Sequence, residues 1–114
     1  MDSRTIIDRC FTDNIDTIEK VRDQNSEEIE LIADMVYRTF NDNHRIFFCG
    51  NGGSAADCQH MAAEYVGRFK KERKGYPAIA LTVDTSILTS ISNDYSYETI
   101  FARQLEALAV PGDL

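Results

Sequence analysis

Asp57, His60, Glu64 and Arg68 recur at steps of three, four and four. On a helix that spacing puts all four on one face. His60 and Glu64, at i and i+4, are placed to bind one metal ion, and equally placed merely to pair with each other. Two donors do not make a tight transition-metal site, since zinc usually takes about four, one of them often water. Immediately before this stripe stands Gly50-Asn51-Gly52-Gly53-Ser54. Glycines there let the backbone approach a ligand, and the helix that follows offers free N–H groups to an anion.

Three ligand readings compete for the glycine turn. A phosphate-binding P-loop needs a lysine after its last glycine, and none follows here. A dinucleotide fingerprint, G-x-G-x-x-A, fits residues 50–55. It also requires an acidic residue ending the next strand about 20 residues on. Glu72 lies in a basic loop and Asp84 comes too late, so a nucleotide-binding module is the weaker case. The third reading is a sugar or small-anion site built from backbone and side-chain donors. A ligand-free role coexists with all three, because Ser54 and Asp57 also fit a capping box. In an open α/β sheet ligands gather beyond the carboxyl ends of strands. Residues 82–85 and the pair Asn93-Asp94 are further candidates for that end.

The elements that must position these groups follow from periodicity. Ile46, Phe47, Phe48 and Cys49 form an unbroken apolar run, as for a strand covered on both faces. A helix is predicted over 54–69, with Met61, Tyr65 and Phe69 on a second stripe. Residues 77–81 read as a second buried strand, its proline at the start where no ladder bond is lost. A short helix capped by Asp84 or Thr85 follows, then a polar break at 92–96 and a helix over 98–109. The basic run 70–75 reads first as a solvated loop and only second as a phosphate contact.

Ahead of the first strand, apolar residues at Ile6, Ile7, Cys10, Phe11, Ile15, Ile18 and Val21 predict one helix, with Ser3 as its N-cap. Asp23-Gln24-Asn25 is expected to end it. Asn25 or Ser26 would cap a second, carrying Ile29, Ile32, Ala33, Val36 and Phe40. The order of elements predicts an open α/β parallel sheet, residues 44–114, behind a helical segment, residues 1–43. Pro111-Gly112-Asp113-Leu114 reads as a turn into a third strand, so the pattern predicts a C-terminally truncated sheet.

The whole chain has 114 residues and a formal net charge of -7, which argues against non-specific binding to nucleic acid or an anionic membrane surface. No apolar run approaches the roughly 20 residues of a membrane span. Cys10, Cys49 and Cys58 are odd in number and lack metal-knuckle spacing, as expected for a reduced, cytoplasmic chain.

CGNGGSAADCQHMAAEYVGRF, then YPAIALTVDTSILTSISNDYSYETIFARQLEAL and PGDL, resemble the phosphoheptose isomerase family of SIS domains along nearly the whole chain. The resemblance implies a doubly wound parallel sheet in an α/β/α sandwich. It implies a cytoplasmic enzyme, usually a homotetramer, that isomerises sedoheptulose 7-phosphate to D-glycero-D-manno-heptose 7-phosphate for lipopolysaccharide heptose. Asn51, Gly52, Gly53 and Ser54 would line the substrate, with Arg68, Asn93 and Asp94. His60 and Glu64 would be zinc ligands, and Glu64 would also move the proton. The family's phosphate-binding Ser/Thr loop, and the Gln and His that complete its zinc site, would follow Leu114. The chain alone is therefore expected to be inactive. A non-enzymatic alternative exists among SIS relatives, which bind sugar phosphates or the replication initiator; Glu64 favours the enzyme.

Overall fold

One helix, α1 (Ser3–Asn41), stands where two were expected. The computed structural model describes residues 2–114. The break predicted at Asp23-Gln24-Asn25 does not form, because the segment holds neither glycine nor proline. Polar residues inside a helix cost only about 0.5 kcal/mol each. They also satisfy themselves locally: the Arg22 Nε donates to Asp23 Oδ1 at 2.8 Å, and the Ser26 hydroxyl donates to the Arg22 carbonyl. The N-cap is Asp2 rather than Ser3, since Asp2 Oδ1 accepts from the Thr5 N–H at 2.9 Å.

The chain forms two compact units, which part between Met35 and Val36, inside α1. In the first unit the helix carries its apolar residues in the open. Phe11, Ile15, Ile18 and Leu31 are all more than half exposed. Ion pairs Arg4–Asp8 (3.1 Å) and Arg9–Asp13 (3.7 Å) run along the helix at i, i+4.

The second unit begins with the end of α1. Asn43 takes a φ of 61° and the His44 N–H reaches back to the Thr39 carbonyl at 2.9 Å, which closes the helix as a Schellman-type stop. β1 (Ile46–Phe48) then pairs in parallel with β2 (Ala78–Ala80), with Ile46 opposite Ala78. α2 (Gly53–Val66) joins them and packs on both strands. After β2 come α3 (Thr85–Asp94), a 3₁₀ turn (Tyr97–Thr99) and α4 (Ile100–Leu108). Asp84 caps α3 through the Ile87 N–H at 2.9 Å. The break expected at 92–96 is shorter than predicted, since Ser92, Asn93 and Asp94 stay helical.

Ile46, Leu81 and Ile100 are the best buried apolar residues, each 3% exposed or less. Leu114 lies along the edge of β1 away from β2. Its N–H donates to the Arg45 carbonyl at 2.9 Å and its carbonyl accepts from the Phe47 N–H at 2.8 Å. Those two bonds bracket Ile46 as in a parallel ladder, so the last residue of the predicted third-strand segment pairs with β1. Among the described residues no helix is long and apolar enough to cross a membrane.

Candidate functional site

The apolar run of β1 ends at Phe48, and the chain must then turn sharply into α2. Gly52 makes that turn possible: its φ of 57° and ψ of -125° are open to glycine and costly for any other residue. Gly50 serves packing instead, since a Cβ there would meet Ser54 Cβ at 2.9 Å. Gly52 is the N-cap of α2, with no side-chain capping bond. The capping box expected of Ser54 and Asp57 is therefore absent, because the helix starts two residues earlier than that box requires. Among the described residues no backbone carbonyl accepts from the Gly52 or Gly53 N–H. Asn51, Gly52, Gly53 and Ser54 thus form a donor-rich turn at the positive end of α2.

His60 and Glu64 lie on α2 as their spacing predicts. Nε2 of His60 is 3.0 Å from Oε1 of Glu64. The histidine side chain is 75% exposed and the carboxylate 29%, so the pair opens to solvent on the imidazole side. Both line a cleft of about 390 Å³ with Met61, Tyr65, Phe69 and Arg73. Among the described residues no group of three or more His, Cys, Asp or Glu is arranged to hold a metal ion. His60 and Glu64 converge closely enough to be two donors of a metal site, not a whole one.

The helix ends at Val66, so Arg68 does not continue the stripe. Gly67 caps the helix and Arg68 pairs beyond it with Glu72 at 2.9 Å, both side chains more than half exposed. Asn93 and Asp94 sit at the carboxyl end of α3, where Asn93 Nδ2 donates to Asp94 Oδ1 at 3.1 Å. Asn93 lines a shallow cleft of about 470 Å³ with Leu88, Thr89, Ser92 and Tyr97. Asn51 lines a third cleft, about 210 Å³, with Gly50, Gly52, Thr82, Ile100 and Tyr97 among others. Of the residues expected in one site, Asn51 and Gly52, His60 and Glu64, and Asn93 line three different clefts, while Gly53, Ser54, Arg68 and Asp94 line none of the three; the clefts of Asn51 and Asn93 share Leu88 and Tyr97.

Two residues at these clefts went unread in the sequence. Arg73 was placed in a solvated basic loop. Its guanidinium instead donates to the carbonyls of Glu64 (2.9 Å), Tyr65 (2.9 Å), Gly67 (3.3 Å) and Lys74 (3.0 Å). It also lies 4.5 Å from the centre of the Tyr76 ring, which stacks on Phe40. The signal available was an arginine soon after a helix end, where it can take up the last carbonyls. Tyr97 is the second: its hydroxyl donates to Asn51 Oδ1 across 46 residues of sequence. No local pattern announces that contact.

Burial pushes the Cys58 thiol up, with Cys49 and Asp57 adding to the shift, so its nucleophilic form is scarce.

The SIS domain family matches this chain over residues 11–114. The chain is 54% identical over 112 residues to a phosphoheptose isomerase of Roseiflexus sp. (strain RS-1), covering 98% of this chain and 56% of that protein. It is 50% identical over 111 residues to the phosphoheptose isomerase of Aliarcobacter butzleri (strain RM4018), covering 97% and 59%. Among solved structures, a phosphoheptose isomerase from Francisella tularensis superposes with a TM-score of 0.94 at 30% identity, over 99% of this chain and 59% of that one. One from Neisseria gonorrhoeae gives 0.89 at 35% identity, over 96% and 56%. The chain spans about half the length of the curated relatives it matches.

Proposed function

The chain belongs to the SIS domain family, and from that premise we propose that it serves a sugar-phosphate aldose–ketose isomerase acting on sedoheptulose 7-phosphate. The product is D-glycero-D-manno-heptose 7-phosphate, a precursor of lipopolysaccharide heptose. The observation that carries this reading is the His60–Glu64 pair in the wall of the 390 Å³ cleft. It stands in a chain 54% identical to a phosphoheptose isomerase over 98% of its length.

The chemistry asks for a group that takes a proton from the carbon beside a carbonyl and returns it to the neighbouring carbon. Glu64 is that group. Its carboxylate reaches the cleft from a helix fixed at both ends, by the glycine turn and by Arg73. It takes the carbon-bound proton as base and the same carboxyl returns it to the neighbouring carbon as acid, while the hydroxyl proton passes from one enediol oxygen to the other, so that the old carbonyl becomes a hydroxyl and the old hydroxyl the new carbonyl. The enediol(ate) between the two transfers carries the developing negative charge. Asn51, Gly52, Gly53 and Ser54 present N–H and O–H donors to the sugar. Arg68 contacts it from beyond α2, and Asn93 and Asp94 from the carboxyl end of α3. The Arg68–Glu72 pair is exposed, so exchanging it for a substrate contact costs little.

His60 and Glu64 would hold zinc as two of its ligands. The ion when bound supplies a Lewis acid that polarises the carbonyl. The enzyme works in the cytoplasm as a homotetramer. The sugar-phosphate substrate and the three free cysteines support the compartment, and the exposed apolar stripe of α1 supports the assembly.

Glu64→Gln in the active enzyme is the test. Turnover of sedoheptulose 7-phosphate should fall about 10²- to 10⁴-fold, with the fold intact by circular dichroism. Turnover at the wild-type rate removes Glu64 from the mechanism. Zinc titration by calorimetry reads the other half, with His60→Ala weakening binding.

A further inference from the structure

Three donor groups of the glycine turn are unengaged among the described residues. The Gly52 and Gly53 N–H groups have no backbone acceptor among the described residues, and Asn51 Nδ2 has no partner among them either. A carboxamide also carries an acceptor, and its two ends exchange places by a simple rotation. The acceptor end of Asn51 is taken, because Oδ1 receives the Tyr97 hydroxyl.

The backbone around Tyr97 is held in place, while Tyr97 itself is more than half exposed. It opens the 3₁₀ turn, in which the Thr99 N–H and hydroxyl both donate to the Ser96 carbonyl, at 3.3 and 3.0 Å. The next residue, Ile100, is 3% exposed and anchors the turn in the core. Tyr97 and Ile100 both line the cleft of Asn51.

We propose that Tyr97 is a positioning residue that holds the Asn51 carboxamide with its N–H₂ end free for the ligand. The inference rests on reading the glycine turn as a substrate wall. With Oδ1 turned to Tyr97, residues 51–53 present three donor groups, and the Ser54 hydroxyl beside them can donate or accept. Such a wall selects acceptor oxygens, meaning a sugar carbonyl, hydroxyl or phosphate, and rejects a ligand that presents a donor there. Turning Asn51 over would set its N–H₂ against the phenol and leave the ligand an acceptor. The phenol can still accept one bond after such a flip, so its role is a bias in orientation rather than a lock.

Tyr97→Phe keeps the ring and deletes the hydroxyl. The side-chain amide resonances of Asn51, assigned by their loss in Asn51→Ala, should move in Tyr97→Phe and stay in place in Tyr95→Phe. Sedoheptulose 7-phosphate should bind about tenfold more weakly by calorimetry, the loss of one hydrogen bond's worth of orientation. In the active enzyme that loss appears in KM with kcat nearly unchanged. Asn51→Asp, which keeps the acceptor for Tyr97 and replaces the donor end by a second acceptor, should bind at least as weakly as Asn51→Ala. This variant leaves Tyr97 untouched and so does not depend on how Tyr97→Phe folds. Unmoved Asn51 resonances in Tyr97→Phe overturn the proposal. So does unchanged affinity in Tyr97→Phe where Asn51→Ala binds weakly, and that result leaves the substrate wall standing. Unchanged affinity in Asn51→Ala removes the substrate wall and the proposal with it.

Discussion

The Asp113 carboxylate accepts from the Arg45 and Val110 N–H groups at 2.9 Å each and from the Arg45 guanidinium at 3.0 Å. Its side chain is only 3% exposed. The Val110 N–H, then the bonds and charge of Arg45, outweigh burial and hold the carboxyl down at about 2, below its ordinary 3.8. A carboxyl depressed on folding contributes stability that is complete above the unfolded value. That contribution is lost as pH falls from about 3.8 through about 2. Asp113→Asn should therefore lower the melting temperature at pH 7 and flatten the fall in stability between pH 4 and 2, read by thermal melts across that range. An acid limb as steep as wild type would contradict this. The sequence showed Asp113 only as part of a turn. Its partner Arg45 lies 68 residues away, and nothing near either residue marks the pairing.

At the scale of the element, α2 is held at both ends by means of different legibility. Its start was readable, because a glycine cluster after an apolar strand leaves few other conformations. The exact first residue was not, since Ser54 and Asp57 mimic a cap two residues too late. Its end was misread by three residues: Met61, Tyr65 and Phe69 keep a helical period past Val66, but Gly67 stops the helix. Arg73 then takes up the carbonyls that the stop leaves free. Arg73→Ala should cost about 2 kcal/mol in urea unfolding, as expected for charge-assisted hydrogen bonds. Arg73→Lys should recover little, since an ammonium lacks the planar fork that reaches the Glu64 and Tyr65 carbonyls together. Full recovery by lysine would mean that charge alone matters at the end of α2.

At the scale of the whole molecule, the residues up to Met35 and those from Val36 on pose different problems. The sheet unit buries Ile46, Leu81 and Ile100 within itself. The helix of the first unit leaves Phe11, Ile15, Ile18 and Leu31 exposed, more apolar surface than a lone helix carries without a partner. If the proposed assembly runs through this stripe, replacing Ile15 and Ile18 together by serine lowers the mass in sedimentation equilibrium to that of a monomer while the second unit keeps its melting transition. A wild-type chain already monomeric at high micromolar concentration would remove the association.

The sequence by itself determined where the strands and most helices lie, and the parallel pairing they imply. It also set His60 and Glu64 on one helix face beside a donor-rich glycine turn. Those properties are written within a few residues of each other, in apolar period and glycine placement. It misjudged α1 because polar residues suggest a break and yet, without glycine or proline, cost too little to make one. Only the tertiary structure decided that Arg73 closes α2, that Tyr97 meets Asn51, and that Asp113 fastens Arg45. Each of those contacts depends on the path the chain takes between its elements, and local periodicity carries no record of that path.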